Sequence, residues 1–425
     1  MLECRAKALC QWVSENECGS YANRAGSRLI PNILTAMSEG SRPAVLQVLA
    51  SLRPSGSVRS AIDIARAVAE AGGASFVASA GGALANDVLR AGAKSIELPL
   101  DSQNFLVLRR NAQRLARLIR QHQINIIHAQ GAGPAWTAWR AAQKTGVRFI
   151  LSFDSIEEES APLQKRFLAA LLASERVLVV SQFLADHLRA RYSIDPGRIR
   201  LIRRGVDLRS FDPDRVRPDQ LIDLSRRWHI PDGVPLIMTF ARPGSWSDVG
   251  ALLEALARLR GTKFRCLLVG ADEDAAARAE IGREIARLEL SRAVQLTGEC
   301  SDMPAAYMLS DVVVSVSRDP GALVHVVTEA QAMGRPVVTT NEGGADEQVV
   351  REYTAWLVPP GDPDSLAEAI GDALALTPEQ RLILGNTAKE HVRANFNKER
   401  MCAQTLAVYE ELLRANANAV NAQPG

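Results

Sequence analysis

Glu329, Arg242 and the pair Gly343-Gly344 are the residues of this chain whose types and places suit work on hydroxyls and phosphates. A carboxylate such as Glu329, near the amino end of a helix spanning 326–333, can accept hydrogen bonds from two neighbouring hydroxyls. The same acid also suits the positive end of the helix dipole with no ligand at all. Gly343 and Gly344 precede a helix start whose first turn holds Asp346 and Glu347. Backbone N–H groups there can meet a phosphate, although those acids equally serve a plain helix start. Arg242 follows a strand and carries a fixed positive charge. Asp154 and Asp319, each after a strand, are carboxylates that a shifted loop can bring to one point. His128 closes a strand in IIHAQ and His325 lies in a loop; a lone His at a strand end is more often a structural hydrogen-bonding residue than a catalyst. Gly56, in Pro54-Ser55-Gly56-Ser57, can let backbone approach a ligand.

These residues are distributed over a regular alternation of apolar runs and amphipathic helices, the pattern of βαβ winding. Strands are expected at 45–49, 74–79, 95–98, 125–128, 149–153 and 177–180, with helices between them and Ser181 capping the helix 182–191. A second alternating block is expected to carry strands at 236–240, 264–269, 294–296, 312–316 and 336–339. Loops at the carboxyl ends of such strands are where α/β sheets bind ligands. The chain therefore reads as an extension (1–42), a first domain (43–207), a polar linker (208–233), a second domain (234–385), terminal helices (386–415) and a tail (416–425).

Apolar residues make up 47% of the 425 positions, ample for two domains with separate cores. Lys plus Arg number 50 against 48 Asp plus Glu, so the net charge gives no case for a nucleic-acid partner. Locally the balance breaks. Arg109, Arg110, Arg114, Arg117, Arg120, Arg140, Lys144 and Arg148 follow one another with no acid between. The helix 105–122 carries apolar residues for packing and arginines on its other faces; it is either a solvated basic face or a peripheral contact for a membrane or an anionic acceptor. Six cysteines show no metal spacing, which fits a reducing compartment and no structural metal. No apolar run reaches the roughly 18 residues of a spanning helix, and the first 42 residues lack a signal-peptide core. A cytoplasmic protein, at most peripheral to the inner face of a membrane, is expected.

Five segments extend the pattern: VVSQF (179–183), RGVDL (204–208), SDMPAAYMLSDVVVSVS (301–317), the Glu329 region and WLVPPGD (356–362). In order and spacing the chain from about 43 to 415 resembles the family 4 glycosyltransferases. That resemblance implies an α/β chain of GT-B fold, with two facing Rossmann-like doubly wound parallel-sheet domains and a terminal helix that returns to the first. It implies retaining transfer of a hexosyl group from a nucleotide-sugar donor to a glycan or lipid-linked acceptor, with no cofactor and no metal. Glu329 would then hold ribose, Arg242 the diphosphate, Gly343-Gly344 the leaving group, and Gly56 and Asp154 would border the donor sugar.

Several positions depart from the family pattern. Gly321 stands where a Glu eight residues before Glu329 is usual, Ser247 and Asp248 where Lys-Gly is usual, Asp154 where His is usual and Ser55 where a first glycine is usual. Leu323 and Val324 replace a Phe-Gly pair, and Val does not readily take positive φ. The nucleoside half of the donor site is kept, whereas the sugar and diphosphate half is changed. Two expectations follow: a glycosyltransferase of an envelope or polysaccharide pathway with an altered donor or acceptor, or a silent relative that binds a nucleotide, a glycan or an active paralogue as scaffold or regulator.

Overall fold

The apolar runs become the strands of two wholly parallel sheets. The computed structural model describes residues 42–156, 161–240, 246–259, 261–270, 275–298, 300–316 and 325–421. In the first unit the order is β1 (Ala44–Val48), α1 (Gly56–Glu70), β2 (Ala74–Ser79), α2 (Ala85–Arg90), β3 (Lys94–Glu97), α3 (Phe105–Gln121), β4 (Ile126–Gln130), α4 (Ala132–Thr145), β5 (Arg148–Phe153), α5 (Ala161–Ala173), β6 (Arg176–Val179), α6 (Gln182–Tyr192) and β7 (Ile199–Leu201). The sheet runs β3-β2-β1-β4-β5-β6-β7. Strand order reverses at β1, where Val45 pairs with Ser75 on one side and Ile126 on the other.

Side-chain alternation explains why these strands are mostly apolar. Ile127 and Leu151 enter the core on one face, and Ile126 and Ile150 enter the core on the other. Both faces of a parallel sheet are covered, so both sets are largely apolar, and the buried exceptions Gln47 and His128 are hydrogen-bonded. Caps fix where the helices begin. The side chains of Ser55, Asn104 and Ser181 accept from the amides of Val58, Leu106 and Leu184, each such cap being worth about 1 kcal/mol. Gly146 ends α4 at φ 73°, the left-handed conformation that a Cβ disfavours.

The second unit holds α7 (Pro218–Arg227), β8 (Leu236–Phe240), α8 (Trp246–Arg258), β9 (Arg265–Val269), α9 (Ala275–Arg287), β10 (Val294–Thr297), α10 (Met303–Leu309), β11 (Val312–Ser315), α11 (His325–Ala332), β12 (Val337–Thr340), β13 (Ala355–Val358), α12 (Pro363–Leu374) and α13 (Pro378–Asn395). Its sheet runs β10-β9-β8-β11-β12-β13, reversing between β8 and β11, where Val312 pairs with Ile237.

Four features differ from expectation, the first being β7, a seventh strand of the first sheet that pairs with β6. A sixth strand, β13, pairs with β12 through Trp356 and Leu357. The segment expected as a linker holds α7, which starts at Pro218 and buries Leu224 and the following Trp228 against the second unit's core. The terminal helices also divide: the compact units are Val206–Asn397 on one hand, and the described residues up to Gly205 with the chain from Lys398 on the other. Hence α13 stays with the second unit and α14 (Lys398–Asn421) belongs to the first. Met401, Leu406, Tyr409 and Leu412 of α14 pack among Val45, Ile126 and Ile150. Glu411 receives Arg176 at 2.5 Å and Arg200 at 2.9 Å from the neighbouring strands.

Candidate functional site

Glu329 sits in the second turn of α11, in a helix whose residues Val326–Ala332 are all buried. The field of a helix end fades within its first turn, so the dipole does not account for an acid here. Its partner does. The Tyr307 hydroxyl donates to Glu329 Oε2 at 2.9 Å, and Tyr307 is itself fully buried, flanked by the rings of Phe211 and Phe240 at 6.1 and 5.8 Å. A carboxylate only 8% exposed and held by a hydroxyl is an acceptor with a fixed direction.

The surroundings of that acceptor follow from topology. β8 and β11 are adjacent at the point where strand order reverses, which is where open α/β sheets leave a crevice at the carboxyl ends of their strands. Phe240 closes β8 and packs on Tyr307, so the ring cluster joins that strand end to Glu329. Arg242 follows β8 in the chain, and Asp319, Gly321, Leu323 and Val324 follow β11; all five lie outside the described residues. Ser247 and Asp248 are the second and third residues of α8. After β12, Gly343 and Gly344 take φ 60° and 88°, and the turn they make leads into a 3-10 segment, Ala345–Gln348, rather than an α-helix. One turn of that kind carries little macrodipole, because aligned peptide units are few. Any anion contact here depends on individual amides.

In the first unit Asp154 lies just past the end of β5, and its carboxylate accepts from Arg204 Nη2 at 2.9 Å. The two side chains are 21% and 18% exposed. They border a small, open pocket of about 40 Å³ with Ser57, Gln130, Ser152 and Thr405. Gly56 is the first residue of α1, buried behind the cap that Ser55 supplies, and it is not among the positive-φ glycines. A serine therefore suits the place of the missing first glycine, because the chain there begins a helix instead of making a left-handed turn.

His128 has a structural task. It is fully buried, with Nδ1 hydrogen-bonded to the Tyr409 hydroxyl at 2.7 Å and Nε2 to Ser152 Oγ at 2.8 Å, so it ties α14 to the sheet. Burial pushes its imidazole down to about 3. An unfolded chain takes up that proton near pH 6.5. Between those values the unfolded state binds more protons, so stability falls as pH falls, by at most about 1.4 kcal/mol per pH unit. Thermal unfolding followed from pH 7 to 4 should show this acid slope, and a His128→Gln chain should lose it. An unchanged slope in that variant would refute the assignment.

Tyr307 and Arg204 were not singled out from the sequence as site residues, although both stand in segments that carry the family resemblance. The only available signal was position: Tyr307 is placed 22 residues before Glu329, and no periodicity reveals that pairing.

The profile described as Glycosyltransferase Family 4 matches residues 54–210, and that described as Glycosyl transferases group 1 matches residues 222–391. The chain is 28% identical to the D-inositol 3-phosphate glycosyltransferase of Salinispora tropica over 56% of its own length and 51% of that protein's. It thus spans about half the length of that curated relative. It is 22% identical to spore coat protein SA of Bacillus subtilis, over 69% of this chain and 80% of that one. Among solved structures, a glycosyltransferase from Rickettsia africae ESF-5 aligns with a TM-score of 0.79 at 29% identity, over 87% of this chain and 99% of that chain. Anabaena Alr3699/HepE, solved with UDP and glucose, aligns at 0.76 and 20% identity over 87% and 99% of the two chains; at that identity the likeness is one of fold.

Proposed function

The chain belongs to the family 4 glycosyltransferases of GT-B fold, and from that premise we propose that its second unit binds a nucleoside diphosphate sugar and that the protein transfers the sugar to a glycan or lipid-linked acceptor with retention. The observation that carries this reading is the buried Tyr307–Glu329 pair beside the β8–β11 reversal, a fixed acceptor of the kind that ribose hydroxyls require. In the transfer, the bond from the anomeric carbon to the diphosphate oxygen breaks, a bond to an acceptor hydroxyl oxygen forms, and the hydroxyl proton leaves with the diphosphate. Charge grows on the leaving diphosphate. Arg242 and the amides of the Gly343-Gly344 turn are assigned to meet it, since donors aimed at developing charge lower the barrier most. Asp154, kept in place by Arg204 in the first unit, takes the position where the family pattern has a histidine. The acceptor belongs to an envelope or polysaccharide pathway on the cytosolic side of a membrane; no helix among the described residues is long and apolar enough to cross one.

UDP and UDP-glucose occupy HepE, and a mannosyltransferase relative is GDP-mannose-dependent, so uridine and guanosine donors are the first to try. Isothermal calorimetry against nucleoside diphosphates and their sugar conjugates tests the reading. Micromolar binding of a conjugate identifies the donor for a transfer assay, and no binding by any member overturns it. The Asp154–Arg204 pair favours one second reading, a silent relative that binds without transferring, because an acid already neutralised by arginine stands where the family uses histidine. Conjugate binding without turnover would mark that case.

A further inference from the structure

α3 turns all five of its arginines to solvent. Arg109, Arg110, Arg114, Arg117 and Arg120 are exposed, while Leu108, Ala112, Leu115, Ala116 and Ile119 are buried against the first unit. At about 100° per residue the arginines share an arc of roughly 140°. Arg110 with Arg114, Arg114 with Arg117, and Arg117 with Arg120 are like-charge neighbours at helical spacing. Each such pair works against the helix. A face that met only water and ions would gain from interleaved acids, yet the chain has no Asp or Glu between Asp101 and Asp154.

Apolar groups mark one end of this face. Phe105 and Leu106, at the amino end of α3, are 45% and 63% exposed. The Phe105 ring lies 5.4 Å from Trp136 of α4, and the Arg166 guanidinium of α5 lies 4.9 Å over it. Exposed apolar side chains beside a dense guanidinium stripe match a surface that is anionic on the outside and apolar a few ångströms below. That is the profile of a bilayer with acidic headgroups. Arginine suits the phosphates there, being weakly hydrated and able to bond them in pairs. A nucleic acid would use the charge but leave Leu106 in water.

We propose that the outer face of α3, with Phe105 and Leu106 at its amino end, docks the protein on an anionic lipid surface. The proposal stands on this face alone and is independent of the donor reading. Co-sedimentation of the full chain with phosphatidylcholine vesicles, with and without phosphatidylglycerol, tests it. Binding is expected only with the anionic lipid, falling as salt rises. The variant carrying Arg110→Gln, Arg114→Gln and Arg117→Gln should bind about 100-fold more weakly with a Tm no lower than the parent's, because none of the three is buried and the like-charge pairs between them are removed. Leu106→Ser should lower the part of the binding that survives high salt. Absence of binding to anionic vesicles, undiminished binding by the triple variant, or preference for a single-stranded oligonucleotide over the vesicles would each overturn the proposal.

Discussion

Replacing Glu329 by alanine is expected to weaken nucleoside diphosphate binding by about 100-fold. Hydrogen bonds from neutral hydroxyls to a carboxylate contribute about 1.5–3 kcal/mol each, and about 3 kcal/mol in total corresponds to that factor. Tyr307→Phe keeps the buried ring between Phe211 and Phe240 and removes the hydroxyl that aims Glu329. The carboxylate remains, so a smaller loss, about tenfold, is expected. A purely structural role for the pair also predicts weaker binding, through a looser core. The two accounts separate on a 2′,3′-dideoxynucleoside diphosphate. If Glu329 reads ribose, wild type and Glu329→Ala bind the dideoxy compound alike and differ only on the ribose form. Equal losses on both compounds would sink the ribose assignment while leaving Tyr307–Glu329 as a core pair. Because the alanine removes the acceptor of the buried Tyr307 hydroxyl, a stability cost of about 1–3 kcal/mol is expected as well, and thermal unfolding should be recorded beside the calorimetry.

The two sheets were legible in the sequence because a parallel strand covered on both faces must be a short apolar run, and punctuation by Ser, Asn and Gly marks the helix starts and stops. β13 escaped because its four residues, Ala355–Val358, run directly into Pro359-Pro360 and show neither length nor alternation. α7 escaped because its polar face dominates: Leu224 is its single buried residue, and Pro218 reads as linker or helix start equally well. In the site, the type of Glu329 was informative, but its place was not. Expected near a helix start, it lies a turn deeper, and what orients it is a tyrosine from α10. Asp154 was legible as a departure from the family pattern, whereas its ion pair with Arg204, 50 positions away in sequence, depends on tertiary structure. His128 shows the same limit. Sequence favoured a structural histidine, but only the structure joins it to Tyr409, across 281 residues.

Restoring the family's missing groups is expected to have the largest effect on rate. Ser247→Lys returns a cation for the diphosphate and Gly321→Glu a carboxylate for the donor sugar; each such group contributes about 10²- to 10³-fold in related chemistry. If the site is a silenced one, the double variant should therefore raise transfer by roughly 10⁴-fold or more over the parent. Adding Asp154→His is expected to help less than the family pattern suggests. It removes the partner of Arg204 at a place where both side chains are about four-fifths covered, leaving a guanidinium short of its counter-charge. Ser247 is the second residue of α8, and a lysine there opposes the helix dipole by about 0.3–1 kcal/mol until an anion binds. Stability of the double variant should consequently rise with added nucleoside diphosphate more than that of the parent. Transfer rates of parent, double and triple variants, with melting curves at fixed ligand, decide among the outcomes. A gain in the double that the triple loses supports a silenced site together with a separate need for the Asp154–Arg204 pair of the first unit. A parent already active, and slowed by the lysine and glutamate, means instead that Ser247 and Gly321 belong to a working site shaped for a different donor.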